Sequence, residues 1–186
     1  MRYSPKTILA FTLFALLSCV TESEAKQPRV EGDRLIFELP DLEGSIVKSS
    51  DERFKDKVVF VTIWGTWCPP CRSEVPTFVD LQNRYRKEGL EIVAIAFERD
   101  AAAEVRRERL RKFSAQHEIN YLVLDGGETS DFSKALPMVV DVKGLPIEIM
   151  IDRSGKVVKS RNGYGYKKRW ARDLERDLRR LLNSKH

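Results

Sequence analysis

Apolar residues along the chain fall into two kinds of run. Lys57-Val58-Val59-Phe60-Val61-Thr62-Ile63-Trp64 is a nearly unbroken apolar and β-branched stretch, and residues 91–97 form a second. Runs of strand length without polar alternation predict strands covered on both faces. Between them Val75, Phe78, Leu81 and Tyr85 recur at intervals of three and four and stop at Gly89. That spacing predicts an amphipathic helix with a glycine stop. The alternation continues with a highly charged helix over about 101–117 and a short strand at 121–124 ended by Asp125-Gly126-Gly127. A short helical stretch around 131–136 comes next, then strands 147–151 and 157–159 flanking the turn Asp152-Arg153-Ser154-Gly155, a hairpin signal. The last helix covers about 167–182, with Trp170, Leu174, Leu178 and Leu181 on one face, and an early hairpin joins 35–39 to 45–47. Strands and helices in this order predict a three-layer α/β sandwich. There is no internal repeat, low-complexity tract or interdomain linker.

Composition narrows the picture. At 186 residues, 33% charged and 42% hydrophobic, the chain is sized for one domain with its own core. The net charge of +5 leans basic, but the cations are interleaved with acids, as in "RRERLRK" and "RDLERDLRR". This reads as solvated helix faces rather than a phosphate-binding stripe, so no nucleic-acid partner is expected. The first residues stand apart from the domain. Arg2 and Lys6 precede an uncharged, mostly apolar run from Ile8 to Val20, too short to span a bilayer and suited to a secretory leader. We expect a signal peptide over 1–25, a domain over 26–186, and a periplasmic or otherwise extracytoplasmic location. Leu16-Leu17-Ser18-Cys19 resembles a bacterial lipobox, which would make Cys19 the site of lipid attachment and anchor the protein to a membrane; Ser23-Glu24-Ala25 offers a competing cleavage site ahead of Lys26.

Removal of the leader leaves two cysteines, in "WGTWCPPC" at residues 64–71. A metal clip, a structural disulfide and a redox dithiol all use C-x-x-C. Two cysteines cannot build a disulfide framework, and a structural zinc site needs four ligands where only His117 and His186 are on offer. No metal is expected. A lone C-x-x-C between a buried strand and a helix points to a redox pair. Cys68 at the helix N-terminus meets free N–H groups and the positive end of the dipole, conditions that bring such thiols to about 3.5–7.5. Cys68 is therefore the candidate nucleophile and Cys71, one turn on, the resolving thiol. Pro69 and Pro70 remove amide donors and stiffen the turn, and Pro76 inside the helix predicts a kink.

With "WGTWCPPC", "CRSEVP" and "GLPIEIMIDRSGKVV" in that order, the chain resembles the TlpA/ResA branch of thioredoxin-fold proteins, exported bacterial thiol-disulfide oxidoreductases, from about Leu35 to Leu182. The resemblance implies a thioredoxin-like α/β/α sandwich with an N-terminal β-hairpin and a central αβ insertion between about 98 and 121. It implies that Pro146 is a cis-proline facing the dithiol and that Glu74 is the acid serving it, since the place of thioredoxin's buried acid is taken by Thr62. The reading expects Glu74 to be partly buried, with a raised pKa and a titration coupled to the cysteines. It makes Trp67, Pro69, Pro70 and Leu145 candidates for substrate contact. Glu148 departs from the small polar residue usual there; it is either buried near the site, as a second acid, or an edge residue facing water. Trp64 reads as core, and Asn162 to Tyr166 as a loop with two glycine turns.

The implied function is reduction of disulfides in partner proteins, apocytochrome c among the candidates, by a monomer that draws electrons from a membrane thiol-reducing donor. The dithiol carries the electrons, so no cofactor is needed. A thiol peroxidase would want threonine where Gly65 stands, three residues before Cys68. A copper or apoprotein carrier without turnover is the alternative on the same scaffold, although its usual wider cysteine spacing and nearby histidine are not evident.

Overall fold

The computed structural model describes residues 27–99, 102–163 and 168–184. Its centre is β4 (Val58–Trp64), the first unbroken apolar run, buried at every position. Around it a five-stranded sheet is ordered β6 (Leu122–Glu128), β5 (Leu90–Glu98), β4, β8 (Ile147–Ile151), β9 (Val157–Asn162). β4, β5 and β6 are mutually parallel, while β8 runs antiparallel to β4 and β9 to β8. Parallel neighbours need crossovers, and two right-handed crossovers stepping in one direction put their helices on one face. These are α1 (Pro69–Tyr85) and α2 (Ala103–Gln116), and α4 (Lys168–Asn183) joins them.

Alternation along β4 separates two cores. Val58 and Phe60 pack with Phe78 and Leu81 of α1 and with Trp170, Leu174 and Leu178 of α4, and Trp64 packs with Leu110 and Phe113 of α2. Val59, Val61 and Ile63 point the other way, against Leu35, Phe37, Leu39 and Leu136. That second layer consists of the hairpin β2 (Glu38–Pro40) with β3 (Ile46–Lys48) and the four-residue α3 (Phe132–Ala135). The fold is thus the thioredoxin-like α/β class the sequence implies, with one outer layer made mostly from the N-terminal hairpin.

Three details differ from the sequence reading. The first hairpin has its regular ladder only from Glu38; ahead of it Leu35 and Phe37 are buried in the core, and Phe37 O accepts from Ser49 N at 2.9 Å. β6 does not stop at Asp125 but runs through both glycines to Glu128. Gly126 lies against the Phe97 ring, where a Cβ would come within 2.7 Å of Cζ, so the glycine answers to close packing rather than to a turn. The third is a pairing the pattern does not predict: β1 (Arg29–Val30) joins β7 (Val139–Val140). The segment holding β1 runs along the outer side of β9, with Val157 N on Asp33 O (2.7 Å) and Ser160 Oγ on Pro28 O (2.6 Å). Asp41 bridges Leu124 on the outer side of β6. Among the described residues no helix is long and apolar enough to cross a membrane. The expected leader, Cys19 included, lies outside the described residues, as do 164–166 of the glycine loop and His186.

Candidate active site

The end of β4 delivers the chain to the dithiol. Cys68 is the N-cap of α1, with extended backbone (φ −95°, ψ 104°), and Pro69 and Pro70 occupy the first two helical positions. A helix start has no intrahelical acceptor for those amides, so prolines there lose nothing and pre-set φ. The first amide left to act is Cys71 N, which points at Cys68 Sγ at 3.4 Å. Cys68 and Cys71 are joined by a disulfide across a Cα–Cα distance of 5.3 Å. Both are buried in this closed state, at 4% and 2% exposure, so the nucleophile is scarcely more accessible than its partner. The far end of α1 is pinned by buried Gln82, which accepts from Ile92 N (2.8 Å) and donates to Leu90 O (3.3 Å) of β5.

The turn between β4 and Cys68 is stitched to the end of β5. Thr66 donates through N and Oγ1 to the two oxygens of Glu98, each at 2.7 Å, and Trp67 Nε1 donates to Phe97 O at 2.9 Å. Arg109 Nη1 of α2 reaches Glu98 Oε2 at 3.0 Å. Trp67 is half-buried, with the Arg99 guanidinium 4.0 Å above its ring, whereas Trp64 is core and packs at a tilt against Phe113. Pro69 is exposed and Pro70 partly so. A groove of about 690 Å³ opens beside this turn, with Thr66, Arg72, Arg109 and Phe113 in its wall.

On the other flank the Leu145–Pro146 peptide is cis, and Leu145 packs against the cluster that contains both cysteines. Glu74 corrects the expectation of partial burial: its exposure is 0%. The helical period accounts for this, since Cys71, Glu74, Val75 and Phe78 form one stripe, all of it turned inward. Gly163, a loop glycine by its sequence context, belongs to the site. Its N donates to Pro146 O at 2.9 Å, and a Cβ there would lie 2.6 Å from both Glu74 Oε1 and Pro146 Cγ. The register offers a signal for it. Ile147 pairs with Asn162 in the β8–β9 hairpin, so counting outward brings 163 beside 146 once the bulge near Ile151 is allowed. Burial, with the nearby Glu74 charge, pushes the Tyr121 hydroxyl well above the usual tyrosine range.

Glu148 is buried (1%) on the sheet face shared by α1 and α4 and is paired in register with Thr62. Both its oxygens are engaged: Trp170 Nε1 donates to Oε1 at 2.7 Å and Arg161 Nε to Oε2 at 2.6 Å. Burial pushes its carboxyl above the ordinary glutamate value, against the pull of Arg161 and Trp170. Of the two outcomes open from sequence, the strand-edge position facing water is therefore excluded. Among the described residues no group of three or more His, Cys, Asp or Glu side chains is arranged to hold a metal ion.

Residues 23–178 match the Redoxin family. The chain is 35% identical over 130 residues to the thiol-disulfide oxidoreductase ResA of Bacillus thuringiensis subsp. konkukian, covering 68% of this chain and 66% of that one. It is 32% identical over 123 residues to the protein of the same name from Bacillus subtilis, with 66% and 62% covered. The alignments thus span a little under two thirds of the length of these relatives. Among solved structures it resembles a thiol:disulfide interchange protein of the thioredoxin family from Chlorobium tepidum, at 25% identity and a TM-score of 0.63 over 83% of this chain and 98% of that one.

Proposed function

The chain belongs to the redoxin family, and from that premise we propose that it is an exported thiol-disulfide oxidoreductase that reduces disulfides in partner proteins. The observation that carries this is the Cys68–Cys71 disulfide closed across the first turn of α1. In the reduced protein the Cys68 thiolate attacks one sulfur of a partner disulfide. That S–S bond breaks, a mixed disulfide forms, and the first partner sulfur leaves as a thiolate. Cys71 then gives up its proton and attacks Cys68 Sγ, expelling the second partner sulfur and restoring the intramolecular disulfide. Two electrons have moved to the partner, and a membrane thiol-reducing donor returns them. Trp67, Pro69, Pro70 and Leu145 border the sulfurs, and the groove beside Thr66 receives the partner chain. The apolar run with its basic start within residues 1–25 supports export.

Trapping tests the reading. Cys71→Ala removes the resolving thiol, so a mixed disulfide on Cys68 should accumulate, run as a heavier band without reductant and vanish with dithiothreitol. A variant that captures no partner while Cys68 stays open to alkylation would contradict it. A reduction potential near thioredoxin's value of about −270 mV agrees with the reducing direction, and one near about −120 mV reverses it.

In the same scheme Glu74 is the proton acceptor for Cys71. It lies three residues on, over the same inward stripe of α1, and a buried thiol resists ionisation unless a base is at hand. Glu74→Gln keeps the shape and removes the base. Steady-state turnover should fall roughly 10²-fold, the usual scale of general-base assistance, with the pH profile altered and single-turnover formation of the mixed disulfide by Cys68 unchanged. A profile that overlays the unsubstituted protein assigns the proton to water instead.

A further inference from the structure

The turn that carries Cys68 is fastened to a carboxylate that the thiol chemistry does not use. Glu98 closes β5 and has 0% exposure, yet three donors converge on it: Thr66 N, Thr66 Oγ1 and Arg109 Nη1. A carboxylate withdrawn from water persists where donors take the place of the water. Here two of the three come from one residue, two places before the nucleophile. The parallel register explains the meeting, since Trp64 beside Ala96 carries Thr66 alongside Glu98. The approach is close, because a Cβ on Gly65 would stand 2.6 Å from Phe97 O.

We propose that Glu98 is a positioning residue for the dithiol: through Thr66 it fixes the 65–67 turn on the end of β5, and Arg109 of α2 completes the clamp, so that Cys68 enters α1 as its N-cap. Glu98 touches neither sulfur. The inference rests on the thiol-disulfide reading above. A held turn keeps Cys68 Sγ over the helix N-terminus, where Cys71 N meets it in the closed state and where a thiolate is favoured in the open one. A slack turn loses that stabilisation of the reduced form and tilts the equilibrium toward the disulfide.

The test equilibrates the full chain in mixtures of reduced and oxidised glutathione and counts free thiols after an alkylating quench. Glu98→Gln keeps the side-chain shape but leaves one acceptor oxygen and turns an NH₂ toward groups that are themselves donors. The dithiol equilibrium should move about tenfold toward the disulfide, about 30 mV for a two-electron couple. Thr66→Val, which loses only the hydroxyl, should move it the same way by less, and Thr66→Ser should stay within about twofold of the unsubstituted protein. If Glu98 serves stability alone, Glu98→Gln lowers the unfolding midpoint while the equilibrium stays within about twofold, and the proposal is overturned. Should Glu98→Gln not fold, Thr66→Val decides by the same criterion. A failure of the function itself looks different: the unsubstituted dithiol would not equilibrate with glutathione at all.

Discussion

Cys68→Ser should bring disulfide turnover down to the background rate, a loss of at least about a thousandfold in an insulin-reduction assay. The attacking species is a thiolate, and a serine hydroxyl at the same N-cap has neither the acidity nor the sulfur needed to form the mixed disulfide. The loss should be chemical and not a failure to fold. The bridge closes a loop of only four residues, Cys68 to Cys71, and a loop that short contributes about 2 kcal/mol by chain entropy. Serine is, moreover, a preferred helix N-cap and can accept from Cys71 N as the sulfur does. Circular dichroism should therefore superimpose on that of the reduced parent. Cys71→Ser should behave differently, keeping one round of attack and stalling at the mixed disulfide. Turnover persisting in Cys68→Ser would remove Cys68 from the mechanism.

The largest effect on stability is expected at Glu148. Glu148→Ala removes the carboxylate from between Arg161 Nε and Trp170 Nε1. It leaves a buried indole N–H without its acceptor and a guanidinium of 18% exposure with the longer pairing to Asp177 at 3.7 Å in place of the bond to Glu148. Breaking a buried pair from one side costs about 3–5 kcal/mol, a large share of the roughly 5–15 kcal/mol that holds a domain folded. Urea denaturation measures it, and a loss below about 1 kcal/mol would mean the pair is solvated. The pH dependence has a definite sign. The folded carboxyl titrates above its unfolded value because burial outweighs Arg161 and Trp170, so the folded state binds the extra proton. The contribution is complete below the unfolded glutamate pKa and declines as pH rises from there through the raised folded value. Glu148→Gln should flatten that slope. With both oxygens occupied, Glu148 ties β8, β9 and α4 together.

The sequence exposes these parts of the protein unevenly, for physical reasons. β4, β5 and α1 are legible because burial on two faces or on one stripe writes itself into composition and period, and "WGTWCPPC" marks their junction. Glu74 is harder. A glutamate in a helix is solvated by default, and only its place on the stripe of Cys71, Val75 and Phe78 signals its depth. Gly126 and Gly163 mislead because a glycine needed for close approach looks, in sequence, like a glycine needed for a turn. The two-residue pairing of β1 with β7 is too short to have a period. Glu98 gives no local signal, since its partners Thr66 and Arg109 lie 32 and 11 residues away, the first brought to it by the register of two parallel strands and the second by the packing of α2.

The N-terminal segment that borders β9 and bridges β6 bears on how the protein survives in company. An open sheet ends in strands with one row of amides and carbonyls unpaired, and such rows recruit the edges of other chains. Here the same stretch of polypeptide guards both flanks: residues near Pro28 and Asp33 occupy the margin of β9, and Asp41 occupies that of β6. Protection against edge-to-edge aggregation thus resides in a segment with no part in the chemistry. Its sequence is free to vary where it neither makes these contacts nor, as at Leu35, Phe37 and Leu39, fills the core.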